Sequence, residues 1–467
     1  MSLVGKITAF VQAVGADVKN LSNRSIPAGG TVGQVLAKSS NQDYATGWIT
    51  PAAAVTGNTY TVVETKTSTG IQNAVNAASP GQTLVLSGGY DCSDPSKTIL
   101  IQKGIVIEGY NAFLDGGSTN HNLVKVNNAS GLTLKNFGLR STEGGKDYAL
   151  LLINEEGPVN NLVLEDLWFT CPFGDYNAIT AQAWSPDANA GSFNKNWTVR
   201  NCRGFDLNRM FLELHAHKWD GVPRYDGINV TDCRVQNSGL SSEHGMAYSF
   251  SGDITNVGID TCKAYGFRGY AVEFIGTTNF SATGNILTST KRFGGTNNDQ
   301  YGSNGYNLTD GGNTERGNPN RGAKEGSITG GLVNVSGRPI QTFYAQRVAI
   351  SGGRWVGGEG SLLQHSSAFD IQLGSVRTNK NYCFYLDDSS YNTFDGGSYD
   401  NYQAQDAYEW VGFYSGSNNN VVNNIRLLGG SVNGKQIASD NANAANKYSN
   451  VFYNGNFISG TADPNPH

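Results

Sequence analysis

Long apolar runs are missing from these 467 residues: no segment approaches the ~20 consecutive apolar positions of a membrane span, so membrane insertion is not expected. Charge is scarce as well. Charged residues make up 15% and the net charge is −5, which argues against nucleic acid as the main partner. There is no GxSxG elbow, no P-loop, no HExxH and no zinc spacing, and DANAG at 187 and TDGGN at 309 are too short for calcium loops. The sequence therefore calls for no cofactor and no metal. Its six cysteines include no CxxC pair. Cys202, Cys233 and Cys262 recur at one place in a repeat and read as a ladder of small buried hydrophobes, while Cys92, Cys171 and Cys383 are scattered and leave the redox compartment open.

What the chain has in abundance is turn chemistry: 60 glycines and many Asn, Ser and Thr. One phrase returns five times, as LKNF at 134, LEDL at 164, VRNC at 199, VTDC at 230 and IDTC at 259, with spacings of 30, 35, 31 and 29. Such a period marks a repeat architecture. A turn-former in a left-handed bend (Asn136, Asp166, Asn201, Asp232) lets both flanking apolar residues point inward. Looser copies set twelve repeat starts between 131 and 449, with a mean step of about 29 residues, one coil of a right-handed parallel β-helix. The expected class is thus all-β, a right-handed single-stranded parallel β-helix of about twelve or more coils.

A second strand aligns from coil to coil in FLELHAH (211–217), AYSFSGD (247–253) and AVEFIG (271–276). Leu212 and Leu214, Tyr248 and Phe250, Val272 and Phe274 share the inward parity. Glu213, Ser249 and Glu273 share the outward one. Stacked strands stand ~4.8 Å apart, so the two glutamates, two coils apart, come within reach of the ~6.5–9.5 Å separation of an inverting glycosidase pair. We therefore take Glu213 and Glu273 as the candidate catalytic carboxylates. His215 and His217 lie on the same face; without a third ligand they suit a groove wall better than a metal site. Trp184 and Trp219 follow the second strands of neighbouring coils and Tyr225 lies in the next turn, so with Ser249 they complete the candidate substrate-binding set.

Along the chain, residues 1–22 place Val4, Ile7, Val11, Val14, Val18 and Leu21 in a heptad seam, which predicts a short trimeric coiled coil. The competing reading, a signal peptide cut after AVGA, conflicts with Lys6, Gln12 and Asp17 inside the apolar run. Residues 23–56 are Pro- and Gly-punctuated, a linker or small β module. The body spans 57–467, with a capping helix at 68–78 whose N-cap is Ser68 or Thr69, a first strand at Thr83–Leu86, a loop insertion at 291–325, and coils from 326 to 390 shortened to steps of 21 to 23.

The phrase GTVGQVLAKSSNQDYATGWI resembles a segment near the N-termini of phage tail fibres and tailspikes, and IQNAVNAASPGQTLVL resembles the entry segment of pectate-lyase-like β-helix proteins. With the coils, the chain resembles a short bacteriophage tailspike. That resemblance implies a homotrimer in the virion, attached to the phage tail or another tail protein through its N-terminus. Acting outside the bacterial host cell, it would bind and cleave a surface polysaccharide, capsule or O-antigen. The family shares no universal catalytic motif, so no residue role carries over. The rivals are a polysaccharide lyase, with His215, His217 or Tyr248 as base and Arg209 or Arg268 offsetting a uronate, and a non-enzymatic adhesin. A pectinase-type enzyme would need a signal peptide and an autotransporter a C-terminal barrel.

Overall fold

The computed structural model describes residues 3–23, 35–38, 46–49, 60–118, 122–141, 149–171, 177–183, 194–217, 219–240, 245–293, 300–310, 321–379, 382–401, 410–429, 437–439, 445–453 and 455–461. It falls into two compact units, Met1–Thr59 and Tyr60–His467. In the first, helix α1 (Leu3–Asn23) carries the heptad seam, with Val4, Ile7, Val11, Val14 and Val18 all exposed. Strands Val35–Lys38 and Thr46–Ile49 pair antiparallel within the tail-fibre-like phrase.

The second unit is a parallel β-helix. Strand Thr133–Arg140 pairs through its first half with Val163–Glu165 and through its second with Trp168–Cys171, because Asn136 bends it at φ 63°. Asp166, Asn201 and Asp232 make the same corner at φ 52°, 50° and 54°, as the sequence predicts. Thr261 takes the next corner at φ 53°, an uncommon conformation for a β-branched residue. Its hydroxyl stands 2.7 Å from both Asp232 Oδ1 and the Asp260 carbonyl, two acceptors for its one proton, which holds the bend.

Past the corner, a further set of strands stacks into a third face, a 13-stranded parallel sheet running from Ile99–Ile101 to Ile437–Ser439. Apolar side chains from all faces form one continuous core from Val63 to Val451. The cysteine ladder lies inside it: Cys202, Cys233 and Cys262 are fully buried, their thiols donating to the Leu164, Val199 and Val230 carbonyls at 3.5, 3.5 and 3.6 Å. All six cysteines are buried free thiols.

Both ends of the column are closed. Helix α2 (Ser68–Ala77) buries Ile71 and Val75, and its Gln72 amide accepts from Leu100 N at 2.7 Å and donates to Leu100 O at 3.1 Å, satisfying the edge of the third sheet. Its N-cap is Thr67, not Ser68 or Thr69: the Thr67 hydroxyl accepts from Gly70 N at 3.2 Å, and Ser68 is already helical and buried. At the far end Asn456–Thr461 folds back antiparallel on Lys447–Tyr453.

The expectation of a loop over 291–325 needs correction at 300–310, while 294–299 and 311–320 lie outside the described residues. Asn304–Thr309 is buried throughout and joins the third sheet between Tyr270–Ile275 and Ile340–Phe343, because Tyr306 and Leu308 alternate into the core. Ahead of it, Arg292–Phe293 and Tyr301–Gly302 form a small antiparallel hairpin.

Candidate active site

The third sheet sets the register of the site. Its outward row reads Thr180, Glu213, Ser249, Glu273, Asn307, Gln341 across successive strands, while Leu212, Leu214, Tyr248, Phe250, Val272 and Phe274 are fully buried on the inward side. Parity and alignment are those read from the sequence. Periodicity does not tell how enclosed the row is: Glu213 is 9% exposed, Ser249 3% and Glu273 4%.

Enclosure makes the two carboxylates unlike each other. Glu273 Oε2 accepts from the Ser249 hydroxyl and Oε1 from Asn307 Nδ2, each at 2.9 Å. Burial raises its pKa from the ordinary 4.5; the two hydrogen bonds pull back and the charge of Glu213 pushes further, leaving it at about 7. Glu213 Oε2 accepts from Asn177 Nδ2 at 2.6 Å, and its Oε1 lies 4.0 Å from the Arg209 guanidinium. Asn177 is itself pinned, accepting from Met210 N at 3.1 Å and donating to the Thr180 hydroxyl at 2.9 Å. One carboxyl thus faces only neutral donors and the other has a cation beside it.

His215 and His217 follow on the same face, half-buried, with their rings stacked at 4.3 Å and 9°. Among the described residues no group of three or more His, Cys, Asp or Glu could hold a metal ion. The aromatic candidates separate from the row. Trp219 is 6% exposed and its ring lies over Gly276, where an added Cβ would stand 2.9 Å away, so it packs against a glycine two coils on instead of offering an open platform. Tyr225 belongs to the core, edge-on to Trp197 at 5.4 Å, because it opens a buried strand and not a turn. Tyr248 is equally buried, which removes it as a lyase base. Trp184 lies outside the described residues. Beyond Trp219, Asp253 is held by Gly221 N and by Arg321 Nη1, both at 2.7 Å.

The sequence reading missed Asn307 and Asn177. The alternation in NGYNLT signals Asn307, whose neighbours Tyr306 and Leu308 point inward; Asn177 precedes its strand, where no periodicity marks it.

No family model and no curated protein matches the sequence. Among solved structures, the fold is similar to PfbA, a surface adhesin of Streptococcus pneumoniae, with TM-score 0.52 and 13% identity over 84% of this chain and 96% of that one. It is similar to tailspike protein 3 of bacteriophage CBA120, with TM-score 0.47 and 14% identity over 94% of this chain and 68% of that one. A third likeness is to the catalytic unit of a thermostable GH87 α-1,3-glucanase from Streptomyces thermodiastaticus, with TM-score 0.43 and 12% identity over 94% and 70% of the two chains. Identities this low speak for shared fold alone.

Proposed function

We propose that the chain is a phage tailspike that binds a bacterial surface polysaccharide, capsule or O-antigen, and hydrolyses it with Glu273 as general acid and Glu213 as general base. The observation that carries this reading is the pair itself: a buried carboxyl poised at about 7, one strand removed on either side from Ser249 and Asn307, and a second carboxylate two coils away beside Arg209. Near neutral pH Glu273 holds a proton. The Ser249 hydroxyl turns to accept it until a glycosidic oxygen takes that place and receives the proton. Glu213 draws a proton from water on the other face of the sugar. Two strand spacings put roughly 10 Å between the backbones, room for that water, so the expected outcome is inversion at the anomeric carbon. His215 and His217 would line the groove.

The exposed seam of α1 fits self-association as a homotrimer, with the N-terminal unit attaching to the phage tail. Mass photometry should then read about three times 49.8 kDa. The test of chemistry is digestion of purified capsule and O-antigen followed by product analysis. New reducing ends without ultraviolet absorbance support hydrolysis. An unsaturated sugar would instead assign elimination, with His215 or His217 as the base and Arg209 offsetting the uronate charge, and binding without products would make the protein an adhesin.

A further inference from the structure

On the same sheet face, beyond the carboxylate row, lies a cleft of about 340 Å³ that the proposed chemistry does not use. Tyr270, Phe293, Tyr301 and Phe343 supply aromatic walls, and Arg338 with Glu359 the polar groups. The Phe293 ring stands 5.9 Å from Tyr270 and 5.8 Å from Tyr301, so three rings surround one space.

The cleft is built rigidly. Gly302 lets the hairpin lie against the next coil, since an added Cβ would stand 2.4 Å from both Gly337 N and Ser336 O. Ser303 then donates from its amide to the Ser336 hydroxyl and from its own hydroxyl to the Phe267 carbonyl, each at 2.9 Å. Asn304 accepts from Arg338 N at 2.7 Å and donates to Gln341 Oε1 at 2.9 Å, and Arg338 Nε meets Glu359 Oε2 at 3.3 Å. Because the guanidinium and carboxylate offset each other, the cleft has donors and acceptors without net charge. Tyr270 shares its strand with Glu273, three residues on, roughly 10 Å along the backbone.

From this we infer that the cleft is a saccharide subsite holding a neutral pyranose of the polysaccharide chain, away from the bond that is broken; the inference rests on the reading of the carboxylate row as the hydrolytic site. Apolar C–H faces of the ring pack on the aromatic walls, hydroxyls donate to Glu359 and accept from Arg338, and a uronate carboxylate gains nothing there because Glu359 already offsets Arg338.

Saturation-transfer NMR on the full chain tests it, with methyl glycosides of glucose, galactose and N-acetylglucosamine as probes and methyl glucuronide as counter-probe. At least one neutral glycoside should bind. Binding should weaken about fivefold in Phe293→Ala and in Tyr301→Ala, whose side chain is 54% exposed and removable without opening the core. It should also weaken in Arg338→Gln and persist in Glu273→Gln. Binding of no neutral glycoside, binding of the glucuronide alone, or undiminished binding in a Phe293→Ala/Tyr301→Ala double variant overturns the subsite. Polysaccharide cleavage with native KM by that double variant overturns the subsite while sparing the hydrolase. Glycoside binding that follows the pattern above, in a protein that degrades no polysaccharide, supports the subsite and overturns the hydrolase.

Discussion

The coils that carry Glu213, Ser249, Glu273 and Asn307 and the coils from Lys324 onwards stack on one column, yet the row that carries these polar side chains in the first gives way to Leu362 and Tyr385 in the second. In the first group the register partners Thr198, Asn229, Gly258, Ser281 and Ser327 follow at uneven steps of 31, 29, 23 and 46, the inward row is Leu214, Phe250, Phe274 and Leu308, and the outward row is polar. In the second, Ser327, Ala349, Asp370 and Thr393 follow at steps of 22, 21 and 23. There the outward row turns to Leu362 and Tyr385, while Thr342, Ser366, Ser389 and Asn392 are buried inside. In the second group buried side chains satisfy the corner amides: Ser366 N donates to Ser389 Oγ, Ser389 N to Ser417 Oγ and Asn392 N to Asn420 Oδ1, each at 2.9 Å. The outer row of the first group is where the titrating side chains Glu213 and Glu273 stand, so the two sides of the wall can be tested separately.

Three variants would break or sharpen that contrast. Glu273→Gln and Glu213→Gln keep shape but remove the titrating oxygen, so each should lower turnover about 10²–10⁴-fold while assembly is retained. Native turnover in either variant would end the catalytic reading of the outer row. The next effect is on stability. The folded pKa of Glu273, about 7, lies above its ordinary 4.5, so the folded state holds the proton more tightly and stability is complete below pH ~4.5 and lost as pH rises to about 7. The loss is on the order of 3 kcal/mol. Denaturant melts at pH 5 and pH 8 should show it in the native chain and not in Glu273→Gln; equal pH dependence in both would contradict the assigned enclosure. Smallest is the inner ladder. Asn420→Ala leaves Asn392 N and the Ser389 carbonyl without their partner and should cost about 2 kcal/mol with turnover unchanged. A drop in turnover as large as that of the glutamate variants would erase the distinction between the two sides of the wall.

Much of this was legible in the sequence because two signals repeat. The corner residues Asn136, Asp166, Asn201 and Asp232 announce their left-handed bends, and strict alternation in FLELHAH, AYSFSGD and AVEFIG fixes which side chains face out and which partner they meet. Parity gives direction and not depth. It placed Glu273 outward but could not say that Asn307, one coil on, would accompany Ser249 in enclosing it, since the strand Asn304–Thr309 sits in a stretch whose Gly and Asn content reads as loop. Trp219 and Tyr225 failed for the same reason. Nothing in the spacing of a turn aromatic tells whether a later coil has a glycine, such as Gly276, to receive it. The N-cap moved to Thr67 because Thr67, Ser68 and Thr69 stand in succession and local chemistry alone does not choose among them.

Helix α2 has a temporal meaning as well as a spatial one. It emerges from the ribosome before any coil of the third sheet, and with Gln72 holding both backbone groups of Leu100 it offers the first strand a finished surface to land on. Each later coil needs only the one before it, 21 to 46 residues back, so the column can lengthen while the remainder of the chain is still being made. No coil has to wait for the C-terminus. The growing edge stays open until Asn456–Thr461 turns back on Lys447–Tyr453, so a chain that stalls early carries a sticky parallel edge, and premature termination is the step at which this protein is most exposed to misassembly with its siblings.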